Sequence, residues 1–94
     1  MMFTHTTMIR AVRGRADQLG QCLHTLQVPI QKMTGCLRFE VTRAPQDPEL
    51  WQLLGVWQSD AALRTFFVAP TLLQVLDEAL QQNLLAGLEC EASS

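Results

Sequence analysis

One run of residues restricts the fold more than any other: Leu50 to Leu63, LWQLLGVWQSDAAL. Its first part is almost wholly apolar and reads as a central strand, Leu50 to Gln58. Ser59 is then well placed as an N-cap, with Asp60 in the first turn, so a short helix is expected over Asp60 to Phe67. A strand that hands over to a helix within two residues leaves few topologies for the rest of the chain. The flanking pattern narrows them to one.

The first strand is expected from about His5 to Arg13, rich in β-branched Thr6, Thr7, Ile9 and Val12, with Gly14 closing it. His5, Thr7, Ile9 and Ala11 share one face; Thr6, Met8, Arg10 and Val12 share the other. A helix follows from near Ala16. Leu19, Cys22, Leu23, Leu26, Ile30 and Met33 recur at steps of three and four, which puts them on one stripe. Pro29 predicts a kink or restart, and Gly35 an end. Cys36 to Arg43 then alternates Leu37, Phe39 and Val41 against Arg38, Glu40 and Thr42, as a strand with one apolar face does. Ala44 to Glu49, with Pro45 and Pro48, is a turn between antiparallel strands. After the Asp60 helix, Ala69-Pro70 starts another, with Leu72, Leu73, Leu76 and Leu80 as its expected buried stripe. A last strand is expected over Leu84 to Glu91, and Ala92 to Ser94 as a loose tail.

The order is strand, helix, strand, strand, helix, strand. This predicts an α+β fold: a ferredoxin-like βαββαβ domain spanning residues 1–94, with a four-stranded antiparallel sheet and both helices on one face. A chain this short buries only roughly 60–65% of the surface its unfolded form exposes. The strands are also too apolar for an open sheet face, so a homodimer that pairs two such faces is expected.

Composition excludes several classes. The chain is 48% hydrophobic and 17% charged with net charge −2, so it is ordered and offers nucleic acid no basic surface. No apolar run reaches the ~20 residues that span a bilayer. The first residues lack the order of a signal peptide, and a cytoplasmic location is expected. Cys22, Cys36 and Cys90 are odd in number with no CxxC pair, which reads as buried free thiols. Two histidines at unrelated positions make no metal site.

Several segments carry a family resemblance. They are Gly35-Cys36-Leu37 with Phe39, the loop Gln46-Asp47-Pro48, Val56-Trp57 followed by Gln58-Ser59, and Asp60-Ala61-Ala62-Leu63 with Ala69-Pro70 beyond. In this order and spacing the chain resembles the antibiotic-biosynthesis-monooxygenase-like domains of the dimeric α/β-barrel superfamily. The resemblance implies a pocket between sheet and helices in each subunit, no cofactor, and a monooxygenase acting on a small aromatic or quinol-type substrate. Trp57 matches the tryptophan that positions substrate in the aromatic-ring monooxygenases. Leu53 stands where that pattern has asparagine. Thr7, Phe66 and Leu76 stand where haem-degrading members have asparagine, tryptophan and histidine, which argues against haem degradation.

The expected catalytic residues are therefore His5, Thr7 and Trp57. His5 is a candidate general base of near-neutral pKa, and Trp57 has one indole donor and a flat face. Phe39, Leu53, Leu63, Phe66, Phe67 and Leu72 are the expected lining of a pocket for a flat apolar ligand. Two other readings use the same residues: a non-catalytic or isomerase-like small-ligand-binding dimer, and a dimer with a filled core.

Overall fold

A computed structural model describes residues 2–93. The elements are β1 (Phe3–Ala11), α1 (Ala16–His24), α2 (Gln27–Gln31), β2 (Cys36–Arg43), β3 (Leu50–Trp57), α3 (Asp60–Phe67), α4 (Pro70–Gln81) and β4 (Leu85–Ser93). The strands form one antiparallel sheet in the order β2-β3-β1-β4. This is the ferredoxin-like arrangement, with each helical half crossing the same face of the sheet.

Side-chain alternation sorts that sheet into two faces. His5, Thr7, Ile9 and Ala11 of β1 are buried, as are Trp51, Leu53, Gly55 and Trp57 of β3 and Phe39 and Val41 of β2. They meet Leu19, Leu23, Leu26 and Ile30 from the first helical half and Leu63, Phe66, Leu72, Val75 and Ala79 from the second. Among the described residues no element covers the opposite face. Its central residues Met8, Leu50, Leu54 and Val56 are only half-buried.

The elements differ from the sequence expectation at points with identifiable causes. The first helix breaks at Thr25 and Leu26, ahead of Pro29. Pro29 lies in the first turn of α2, where its missing N–H has no intrahelical partner to lose. Leu37 is an extra residue at a bulge, since Cys36 pairs Trp57 and Arg38 already pairs Val56; Leu37 is exposed instead of joining Phe39 and Val41. On α4 the buried stripe is Leu72, Val75 and Ala79, while Leu73 and Leu80 are exposed. Leu84 lies in the turn that closes α4, not in β4. Asn83 adopts φ 57°, its N–H donates to Leu80 (3.1 Å), and the Leu84 N–H donates to Ala79 (2.8 Å). This is a Schellman closure with Leu84 as its buried apolar plug. Of the expected tail, Ala92 and Ser93 belong to β4, and Ser94 lies outside the described residues.

Candidate functional site

β1 and β3 place His5 directly opposite Gly55, and this pairing organises the site. A Cβ on Gly55 would come within 2.5 Å of the imidazole Nδ1 and 2.6 Å of the indole Nε1 of Trp57. Without that methyl group, the His5 ring lies across β3 and meets Trp57 two residues on. The Trp57 Nε1–H donates to His5 Nδ1 at 3.2 Å. His5 also packs on Phe66 and Phe67, with ring centroids 4.6 and 5.4 Å away. Phe66 in turn packs on Trp57 and Phe39 at 5.1 and 5.6 Å.

The indole nitrogen can only donate, so it fixes the proton on the imidazole. Nδ1 is the acceptor, and a neutral ring then carries its hydrogen on Nε2. Burial lowers the His5 pKa from 6.5 to about 4, because the charged ring has lost its water. At neutral pH His5 is therefore an uncharged donor with its one lone pair engaged. The general-base role expected from the sequence has no free lone pair here. Nε2 is buried and has no hydrogen-bond partner among the described residues.

Beside this cluster is an apolar cavity of about 160 Å³. The sheet contributes Thr7, Ile9, Leu53, Leu88 and Cys90, and α3 and α4 contribute Phe66, Phe67, Leu72, Leu73 and Leu76. Leu73 and Leu88 are 52% and 44% exposed, so the cavity opens between α4 and the edge strand β4. Thr7 and Cys90 alone among these side chains carry polar atoms. Thr7 Oγ1 and Cys90 Sγ lie 3.3 Å apart in a hydrogen bond whose donor either atom can supply. Cys90 is exposed and Cys22 and Cys36 half-buried, which corrects the expectation of buried thiols. Among the described residues no three His, Cys, Asp or Glu side chains converge in a metal-binding group.

Of the residues singled out in the sequence, Thr7, Leu53, Phe66, Phe67 and Leu72 come together around the cavity. His5 and Trp57 sit behind Phe66. Phe39 and Leu63 lie in the core and do not line the cavity. Sequence reasoning missed Leu88 and Cys90 as cavity residues, although their shared parity on β4 was a usable signal. It also missed Gly55 as the gap that admits the imidazole.

The profile of the antibiotic biosynthesis monooxygenase family matches residues 2–77. The chain belongs to that family. Solved structures agree with the monooxygenase-family fold. The protein PA3566 from Pseudomonas aeruginosa superposes with a TM-score of 0.86 at 24% identity, covering 98% of this chain and 91% of that one. A proposed antibiotic biosynthesis monooxygenase from Deinococcus radiodurans gives 0.86 at 23% identity, covering 100% and 91%. One from Chloroflexus aurantiacus gives 0.76 at 26%, covering 99% and 91%. No curated protein matches the chain significantly in sequence. A shared fold does not carry a reaction with it.

Proposed function

We propose that this antibiotic biosynthesis monooxygenase domain is a cofactor-independent oxygenase for a single-ring phenol or quinol bound beside Thr7. The observation that carries the reading is the cavity's size and lining. About 160 Å³ of apolar space matches the roughly 150 Å³ that is enough to take up a benzene ring. Phe66 and Phe67 give it aromatic walls. The proteins from Deinococcus radiodurans and Chloroflexus aurantiacus, themselves proposed monooxygenases, support the reaction class.

The chemistry asks little of the protein. An electron-rich ring, once ionised, can reduce dioxygen itself. A phenol plus O₂ gives a para-quinone plus water, so one oxygen enters the ring and the other leaves reduced. The domain binds, desolvates and orients the ring. Thr7 Oγ1 holds the ring oxygen, with His5 and Trp57 as the polar cluster behind it.

The partner in this reading is a second copy of the chain, docked through the sheet face that carries Met8, Leu50, Leu54 and Val56. Three free cysteines suit a reducing compartment, and the cytoplasm is the location we propose. Among the described residues no helix is long and apolar enough to cross a membrane.

Oxygen uptake against a panel of single-ring phenols and hydroquinones tests the activity. Uptake above buffer is expected, with Thr7→Val lowering kcat/KM by about tenfold through the lost hydrogen bond. No uptake with any ring overturns the oxygenase. One observation favours a second reading, a ligand-binding domain without turnover: the cavity presents no free base. Saturable binding of the same phenols without oxygen uptake selects it.

A further inference from the structure

His5 combines three features that a core histidine does not need. The residue is 1% exposed. Its Nδ1 is occupied by the Trp57 donor at 3.2 Å. Its Nε2 has no partner among the described residues. A buried donor left unsatisfied is destabilising, and a plain core would place phenylalanine here among Phe39, Phe66 and Phe67. The chain instead has an imidazole here, and the glycine at position 55 leaves room for it.

The position is as telling as the chemistry. His5 lies two residues from Thr7 on the same face of β1, roughly 7 Å along the strand. Thr7 lines the cavity, and so do Phe66 and Phe67, the two rings that also pack on His5. Phe67 is only partly buried, so it is the ring with freedom to move.

We propose that His5 is a fixed hydrogen-bond donor to the ligand, its Nε2–H reaching an oxygen of the bound ring when Phe67 swings aside. Gly55 and Trp57 are positioning residues: one leaves the space, and the other holds the tautomer. The ligand class is a single aromatic ring bearing a phenolic or quinone oxygen, taken up preferentially as the phenolate. This rests on the cavity reading above and gives it a direction, with the oxygen inward toward β1 and the ring against Phe66. A donor that cannot act as a base still promotes ionisation, because it stabilises the anion and leaves the proton to solvent.

The test uses 4-nitrophenol, whose absorbance reports its ionisation, and nitrobenzene, which has the same ring without the hydroxyl. With the full chain, bound 4-nitrophenol is expected to ionise at lower pH than in water. His5→Phe should weaken phenolate binding by about tenfold or more, since a hydrogen bond to a charged group is lost, and should leave nitrobenzene affinity unchanged. Trp57→Phe should reduce the ionisation shift while His5 remains, a change that loss of packing alone does not produce. Circular dichroism and thermal melts establish that each variant is folded. If nitrobenzene and 4-nitrophenol both fail to bind the wild type, the cavity reading and this inference fall together. If both bind and His5→Phe alters neither the affinity nor the ionisation of 4-nitrophenol, the donor role alone is overturned. Should His5→Phe not fold, ¹⁵N spectra of the wild-type imidazole decide: an Nε2 signal unmoved by 4-nitrophenol refutes the contact.

Discussion

Gly55→Ala puts a methyl group on the imidazole and indole nitrogens, and overpacking of this kind typically costs about 1–3 kcal/mol. Urea unfolding is expected to show that loss, together with altered emission from Trp57. His5 makes a second prediction through linkage. Its folded pKa of about 4 lies below the ordinary 6.5, so between those values the unfolded chain binds the extra proton. The neutral ring's contribution is complete above pH 6.5 and is lost as pH falls toward 4. Melting temperatures of wild type and His5→Phe, compared across pH 4–7, should shift progressively in favour of the variant as pH falls from 6.5 toward 4. A constant difference would contradict the buried neutral ring. The pairing behind both predictions was not legible beforehand. His5 and Trp57 are 52 residues apart, and strand parity gives the face of a residue but not its register partner. The inward face of His5, Thr7 and Trp57 was legible, because β alternation depends only on local spacing.

At the scale of elements, start signals were easier to read than phases. Ser59 caps α3 as its sequence implies, with Oγ accepting the Ala62 N–H at 3.1 Å. Ser59→Ala should cost about 1 kcal/mol, measured as a shift in the denaturation midpoint without change in slope. A larger loss would mean that Ser59 serves more than the cap. β2 and α3 have the expected bounds because both begin at strong punctuation, Gly35 and Ser59. The phase of α4 was hidden, because half of its twelve residues are aliphatic and they are spread around the helix. Leu73 and Leu80 compete with Val75 and Ala79 for the inward side. Packing selects the smaller pair, and Ala79 ends fully buried. The displaced Leu73 goes to the cavity mouth. Leu37 was misplaced for a different reason, since a bulge inserts one residue and breaks the period of two.

For the molecule as a whole, the order of elements was sufficient to give the sheet. A βαββαβ order, in which each α is a pair of consecutive helices, allows few chain paths, and the right-handed crossover rule removes most of these. The cavity was less legible, because its mouth is built from β4 and α4, and the apparent parity of β4 shifts at the irregularity between its pairings to Arg10 and Ala11. The uncovered sheet face supplies the prediction at this scale. Its half-buried Met8, Leu50, Leu54 and Val56 are ringed by Arg10, Arg38, Glu40 and Glu89, a pattern of apolar centre and charged rim. Sedimentation should find a dimer, and Leu54→Lys should convert it to a folded monomer. A wild type that sediments as a monomer at high protein concentration would remove the pairing from the proposed function.

Strand β3 also carries both tryptophans, and they sit in unlike surroundings. Trp51 is 7% exposed, donates to the Ala16 carbonyl at 2.9 Å and lies 4.6 Å beneath the Arg43 guanidinium. Trp57 is wholly dry and bonded to an imidazole. Six residues of extended chain hold the two indoles roughly 20 Å apart. The protein thus has an intrinsic optical probe at either end of one rigid rod, one near water and a cation, the other packed on Phe66 of the cavity wall. Under the proposed function, light from the second would follow occupancy while the first serves as an internal standard, with no dye attached.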